Sequence, residues 1–374
     1  MVQKPLLIIA ASEVDSNLYY ATRFLAPDAF VFLRDRGQSI MLMSDLEMDR
    51  AKAQARVDTV LSYTAYEERA KAKLSERPRT VHVVHELLSE RGIKELDVPA
   101  NFPIEYADLL RSMGYAISVR PDPLFPERVL KQPHEVEAIS ATQRAVEEAV
   151  AAAMQTLRDA DVRNGVLHVG GDVLTSERIK QIINVKLMER DCVAQHTIVA
   201  CGLDACDPHN EGSGPLLANQ PIIFDVFPRS SRSRYFADMS RTVVKGRASD
   251  GMKRLYDTVL DAQEWGAAQV RAGVDGQTIH EGICERFRSN GYETGLKDGR
   301  MQGFFHGTGH GVGIDIHEAP RVSKIHHVLQ AGEVVTIEPG LYYPSIGAAR
   351  IEDMVLVTAD GGINLTRFPK ELEL

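Results

Sequence analysis

Four acids sit where a folding chain tolerates charge least. Asp225 lies in Ile222-Ile-Phe-Asp-Val-Phe, and Asp238 in Tyr235-Phe-Ala-Asp-Met-Ser-Arg-Thr-Val-Val. Glu338 follows Val334-Val-Thr-Ile, and Glu352 sits in Arg350-Ile-Glu-Asp-Met-Val-Leu-Val. Each run is apolar and strand-forming, as a buried strand is. A lone buried carboxylate costs several kcal/mol or gives up its charge, and four together repel unless cations stand between them. Two arrangements answer this. Each acid has its own arginine, with Arg241 and Arg350 as the obvious partners, or a multivalent metal centre collects all four. A single acid on a strand of period two can equally face solvent. Jointly that bland reading weakens, because hairpin geometry places Asp225 opposite Asp238, and Glu338 opposite Glu352, on neighbouring strands.

A second stretch supplies nitrogen. His306-Gly-Thr-Gly-His310-Gly-Val-Gly-Ile-Asp-Ile-His317-Glu-Ala-Pro-Arg321 holds three histidines among glycines. Glycine permits close backbone approach, so His306 and His310 can reach one small centre without crowding. The segment from Gly311 to Ile316 alternates roughly and is expected to carry His317 along a short strand or extended segment. Imidazole is both a metal ligand and a proton carrier near neutral pH. Four carboxylates and one imidazole suit divalent ions of the manganese, cobalt or iron kind, with zinc possible, better than a structural zinc. The glycine run fits no dinucleotide-binding GxGxxG register, and His310 interrupts it.

The 374 residues exceed one ordinary core and point to two domains, at ~100–200 residues each. A net charge of −9 without long Lys/Arg runs argues against nucleic-acid binding. The opening Met1–Ala10 has too short an apolar run for a signal sequence or a membrane span, and is read as a first core strand. Cys192, Cys201, Cys206 and Cys284 show no CxxC spacing and are expected to be reduced thiols in a cytoplasmic protein.

Residues 1–125 alternate strand and helix signals, giving an α/β domain. Leu6–Ala10, Glu95–Pro99 and Ala116–Arg120 read as strands, and Phe30–Met43 as a hairpin turning at glycine. Leu46–Gln54 and Glu105–Gly114 read as helices. His82 and His85 lack acidic or thiol partners nearby and are expected to pack rather than bind metal. Pro121-Asp-Pro-Leu-Phe-Pro126 interrupts both periodicities and reads as a linker. From residue 126 to 374 the order is helix, helix, strands, twice over. Helices are expected near Pro133–Arg158, Leu174–Glu189, Gly251–Arg271 and Thr278–Asn290. Each copy carries one carboxylate pair, which predicts an internal repeat.

Together these blocks resemble the pita-bread metallopeptidase family (M24), which includes methionine aminopeptidase, Xaa-Pro aminopeptidase and prolidase. The matching residues are Ala205–Asn210 with His209, Asp225-Val, Asp238-Met-Ser-Arg-Thr, Gly309-His-Gly-Val-Gly with His317-Glu-Ala-Pro-Arg, Thr336-Ile-Glu-Pro-Gly and Arg350-Ile-Glu-Asp. The resemblance implies a creatinase/prolidase-like N-terminal domain before an α+β pita-bread catalytic domain with a pseudo-two-fold repeat. It also implies two metal ions, one held by Asp238, His310, Glu338 and Glu352, the other by Asp225, Asp238 and Glu352. Glu338 is the implied general base, and His209 and His317 the groups contacting substrate. Arg321 takes the place of a substrate-carboxylate anchor, His306 lines the site, and Arg350 contacts substrate or braces the ligands. One departure stands out. Phe227 occupies a position usually held by glycine, and Pro228–Arg234 makes the connection between the aspartates two residues longer than the family pattern.

The implied activity is hydrolysis of Xaa-Pro bonds by a homodimer, on dipeptides ending in proline. Xaa-Pro aminopeptidase action on longer peptides is the nearest alternative. A metal-dependent lyase or C–N hydrolase acting on a small metabolite is a more distant one. Creatinase shares the fold without the metal ligands, so their presence argues against that branch. A silent binding module is disfavoured on the same ground.

Overall fold

The computed structural model describes residues 4–374, and the chain divides into two compact units, residues up to Arg128 and residues from Val129. In the first unit the strands are β1 (Leu6–Ala10), β2 (Phe30–Asp35), β3 (Gln38–Met43), β4 (Thr59–Ser62), β5 (Glu95–Pro99) and β6 (Ala116–Arg120). They lie in the order β4-β3-β2-β1-β5-β6. Their continuous apolar runs have a simple cause: both faces are covered. Leu7, Ile9, Val31 and Leu33 pack into one core, while Leu6, Ile8, Phe30 and Phe32 pack into another. The β2–β3 turn is made by Arg36 and Gly37, both at positive φ (49° and 81°), as a tight hairpin turn of the right hand requires.

His82 and His85 stand on the helix Thr80–Glu90. His82 Nδ1 accepts from the Arg79 amide, and His85 Nδ1 bonds the Tyr115 hydroxyl at 2.9 Å. Both are structural in this unit, as expected. The proline-rich 121–126 stretch differs from a free linker, since Leu124 and Phe125 are buried in the core with Leu6 and Ile8.

The second unit contains the repeat. Its first half has helices α1 (Pro133–Arg158) and α2 (Ser176–Met188), then strands β7 (Ile198–Cys201), β8 (Pro221–Val226) and β9 (Met239–Val244), ordered β7-β8-β9. The second half has α3 (Asp250–Gln269) and α4 (Gly276–Ser289). Beyond a short hairpin at residues 295–302, its strands are β10 (Gly309–Gly311), β11 (Glu318–Val322), β12 (Val334–Ile337), β13 (Gly340–Tyr343), β14 (Gly347–Arg350), β15 (Asp353–Val357) and β16 (Gly362–Asn364). The sheet order is β11-β10-β12-β15-β16, with β13 and β14 forming a separate hairpin. Leu255, Val259 and Ile283 from α3 and α4 pack on Val335, Ile337 and Val355 of this sheet. The acids therefore emerge at the ends of β8, β12 and β15 and just ahead of β9. Each is anchored by a strand whose other residues hold the core.

Register corrects one expectation. Asp225 faces Ser240, not Asp238. The ladder continues past β8 in unchanged register: Val226 faces Met239, the Ala237 amide donates to Pro228 O at 3.2 Å, and Arg229 bridges Phe236. The Ser230 amide donates to Tyr235 O at 3.0 Å, and Arg234 closes the turn at φ 68°. The longer connection is thus an extension of the hairpin, and Phe227 is the residue across from Asp238. Asp225 and Asp238 share a face diagonally. For the other pair, Ile337 faces Asp353, so Glu338 and Glu352 lie on the next rung of the same ladder.

His317 also departs from expectation. The strand carrying His310 ends at Gly311 and the register shifts there, so His317 sits in the loop immediately before β11. The Gly313 amide turns back to Asp315 O at 3.1 Å, which breaks the alternation read from Gly311 to Ile316.

Candidate metal centre

Asp238, His310 and Glu352 are 4%, 4% and 2% exposed, and one ligand atom from each lies within 4.8 Å of the other two. Glu338 completes the inner group: its Oε1 lies 3.3 Å from His310 Nε2, while Asp238 Oδ2 lies 3.7 Å from the same nitrogen. The glycines make this convergence possible. A Cβ on Gly309 would stand 1.8 Å from Thr336 O, and one on Gly311 would stand 2.2 Å from Ala319 O. Any side chain there would push β10 out from between its neighbours and carry His310 away.

His310 Nδ1 lies 3.1 Å from Gly311 O, so this nitrogen carries the proton and donates it. The lone pair on Nε2 is thereby turned toward the carboxylates. Burial, with His317 adding to it, pulls the His310 pKa down to about 3, so an imidazolium does not supply the missing positive charge. Burial and then the charge of Glu352 push Asp238 well above the usual carboxylate range, and burial and then Glu338 do the same to Glu352. Glu338 is raised to about 8, chiefly by burial. Asp225 Oδ1, Asp238 Oδ1 and Glu352 Oε1 are buried without a hydrogen-bond partner. Orphaned carboxylate oxygens around an imidazole lone pair cost free energy unless a cation satisfies them. The donor set is oxygen-rich with one nitrogen, and it fits a hard or borderline divalent ion.

Only one of the two expected arginines serves these acids. Arg350 Nη2 donates to Asp225 Oδ2 at 2.6 Å, Nη1 to the Tyr342 hydroxyl at 2.9 Å and to Pro208 O at 3.3 Å, and Nε to Ser240 Oγ at 3.0 Å. Its guanidinium is engaged by protein groups, an arrangement in keeping with the second of its two expected roles, a brace for the ligand Asp225. Arg241 instead pairs with Asp353 at 2.8 Å, both about 1% exposed, and donates to Glu352 O at 2.7 Å. Burial opposes ionisation of Asp353, but Arg241 and Lys370 outweigh it and hold that carboxyl below its ordinary value. Arg241→Met leaves Asp353 buried and short of charge, so it should destabilise by about 3–5 kcal/mol, read as a lower urea midpoint.

The remaining site histidines fall around one cavity of about 930 Å³, shared with the acids and with Arg321. His306 bonds Gly307 O through Nδ1 at 2.8 Å and the Tyr342 hydroxyl through Nε2 at 2.9 Å. Its ring nitrogens are therefore used by the wall, and only its ring lines the cavity. His317 stands edge-on to His310, ring centres 4.4 Å apart, and is exposed. His209 is exposed and lines the same cavity, and Arg321, also exposed, faces His310 across the β10–β11 ladder. Sequence reasoning missed Tyr342 and did not single out Ser240. Ser240 donates to Glu352 Oε2 at 3.0 Å. Its place two residues after Asp238 on one strand was the available signal. Tyr342 had none, since its partners come from other elements.

A model of metallopeptidase family M24 matches residues 137–359, more than half of the chain. The chain belongs to metallopeptidase family M24. Within the family, the uncharacterized peptidase YqhT of Bacillus subtilis is 36% identical over 176 residues. That alignment covers 47% of this chain and 47% of the relative, so the chain spans about half the relative's length there. A Xaa-Pro dipeptidase of Pyrococcus horikoshii is 27% identical over 284 residues, 75% of each chain. Among solved structures, a Xaa-Pro dipeptidase from Bacillus anthracis superposes with a TM-score of 0.82 at 22% identity, covering 99% of this chain and 95% of the other. That likeness establishes the fold, an α/β domain followed by an α+β pita-bread domain. Among the described residues no helix is long and apolar enough to cross a membrane.

Proposed function

We propose that this M24 chain hydrolyses Xaa-Pro peptide bonds with two divalent metal ions, and that its preferred substrates are dipeptides ending in proline. The observation that carries the reading is the buried cluster of Asp238, His310, Glu338 and Glu352, with orphaned oxygens and a deprotonated imidazole nitrogen facing one another. Asp225, with its free Oδ1, completes a second ligand set with Asp238 and Glu352. Manganese, cobalt or iron suits these donors, and zinc is compatible with them. When bound, such ions acidify a water and polarise the scissile carbonyl.

The chain's own groups do the rest. Glu338 takes the proton from the attacking water and passes it toward the leaving nitrogen. His317 and His209 flank the cavity where the carbonyl oxygen and the leaving nitrogen would lie, and donate hydrogen bonds there. Arg321 holds the substrate carboxylate, and Arg350 keeps Asp225 in place. The same reading takes the unit up to Arg128 as a creatinase/prolidase-like domain, and the active protein as a cytoplasmic homodimer.

Two peptides test the substrate. Manganese-loaded protein should hydrolyse Ala-Pro faster than Ala-Pro-Pro, and Arg321→Ala should raise KM for Ala-Pro by about tenfold, the loss of roughly 1.4 kcal/mol of carboxylate binding. Preference for Ala-Pro-Pro would make the protein an Xaa-Pro aminopeptidase. Turnover of neither peptide, followed by turnover in a panel of small amides and amidines, would replace the peptidase reading with a C–N hydrolase or lyase.

A further inference from the structure

Metal binding does not account for Phe227. The hairpin register puts this residue across from Asp238, between the Val226–Met239 pair and the Pro228–Ala237 hydrogen bond. On a strand of period two, Phe227 shares the face of Asp225, so its ring stands beside both aspartates. It is half-buried and lines the cavity. Ile198, opposite Asp225 on β7, adds a second apolar wall, and His196 lines the cavity on this edge as well. Arg229 covers Phe236 two rungs on, and Ser230 pairs with Cys192, so the backbone of the hairpin beyond Phe227 is fixed at its far end. Arg321 reaches the cluster from the other sheet, through its pairing with His310.

We propose that Phe227 is a specificity-determining residue that confines the N-terminal side chain of the substrate to small residues. The inference rests on the proposed Xaa-Pro activity. With the substrate carboxylate on Arg321, the proline lies toward β11 and the N-terminal residue toward Asp225. There the phenyl ring and Ile198 form an apolar wall of the cavity beside Asp225. Alanine or a comparably short side chain fits. Leucine and phenylalanine side chains meet the ring, whose backbone the extended hairpin holds in place.

The test compares Ala-Pro, Leu-Pro and Phe-Pro on manganese-loaded wild type, Phe227→Ala and Phe227→Leu. Wild type should prefer Ala-Pro. In Phe227→Ala the ratio of kcat/KM for Phe-Pro over Ala-Pro should rise at least tenfold, mainly through KM, with Phe227→Leu intermediate. Equilibrium binding of uncleaved Ala-Pro and Phe-Pro to Glu338→Gln protein, with and without Phe227→Ala, should show the same change of preference by calorimetry. Unfolding midpoints and metal content of each variant exclude a general loss of structure. A size profile unchanged by Phe227→Ala, or a wild type that prefers Phe-Pro, overturns this inference while leaving the peptidase reading intact. No hydrolysis of any Xaa-Pro dipeptide by wild type overturns both.

Discussion

Stripping divalent metal from the protein should abolish peptide hydrolysis and lower its thermal midpoint, and the stability gap should widen as pH rises from about 4.5 to about 8. In the metal-free fold, Glu338 has its pKa raised from 4.5 to about 8, first by burial, and Asp238 and Glu352 are raised as well. A carboxyl with a raised folded-state pKa binds protons more tightly folded than unfolded. Its contribution to stability is whole below the unfolded value and fades as pH climbs through the folded one. Metal works the other way, because its ligands must shed their protons to bind it and affinity grows with pH. At a hundredfold excess over Kd, binding adds about 2.7 kcal/mol. For a unit of this size that is roughly 5–10 °C in Tm, at about 2–4 °C per kcal/mol. Calorimetric scans with chelator and with added manganese check it. Equal midpoints across the whole window would mean that no ion sits among these acids.

That prediction shows which parts of the centre were readable in advance. Charge inside apolar strands had to be neutralised, which pointed to partner arginines or to one metal centre, and the family resemblance gathered Asp225, Asp238, His310, Glu338 and Glu352 into that centre. The convergence of Asp238, His310 and Glu352, with Glu338 against His310, follows the same logic in space. The helices of both halves were legible within a few residues from their periodicity, and so was the β2–β3 hairpin from its glycine. The helix Thr80–Glu90 was not singled out, because Thr80-Val-His-Val-Val is β-branched and argues locally for a strand. Packing of Val81, Val84 and Leu87 under the sheet outweighs that preference.

The errors of register have a different origin. A pair of acids thirteen residues apart looks like two opposite positions of a hairpin, yet a register displaced by two residues places Ser240 rather than Asp238 across from Asp225. Only the full ladder, traced through Pro228, Arg229 and Ser230, fixes which side chains face which. The partner of Arg241 was likewise out of reach. Asp353 adjoins Glu352 in the chain, but successive strand residues point to opposite faces, so the arginine beneath the sheet meets the acid that turns away from the centre. Tyr342 joins His306 to Arg350 through contacts that no local pattern announces.

Replacing Glu338 with glutamine should lower kcat for Ala-Pro by about 100- to 10,000-fold, the usual worth of a positioned general base. Glutamine keeps the size and one coordinating oxygen but cannot take a proton. The carboxyl is well fixed where it stands. The Glu338 amide donates to Thr308 O at 2.8 Å, and the Thr336 hydroxyl donates to Glu338 Oε1 at 3.3 Å while accepting from the His310 amide at 3.0 Å. Those contacts survive the change, so the variant should fold with a near-native circular dichroism spectrum and retain bound metal. A structural role would predict a lower unfolding midpoint and metal loss in step with activity. A proton-transfer role predicts a fall in kcat at nearly constant KM and metal content. Since burial sets Glu338 apart from an ordinary carboxyl only until cations arrive beside it, its basicity and the metal ions are two aspects of one balance of charge. Near wild-type turnover by metal-loaded Glu338→Gln protein would remove this residue from the chemistry and leave the proton to another group.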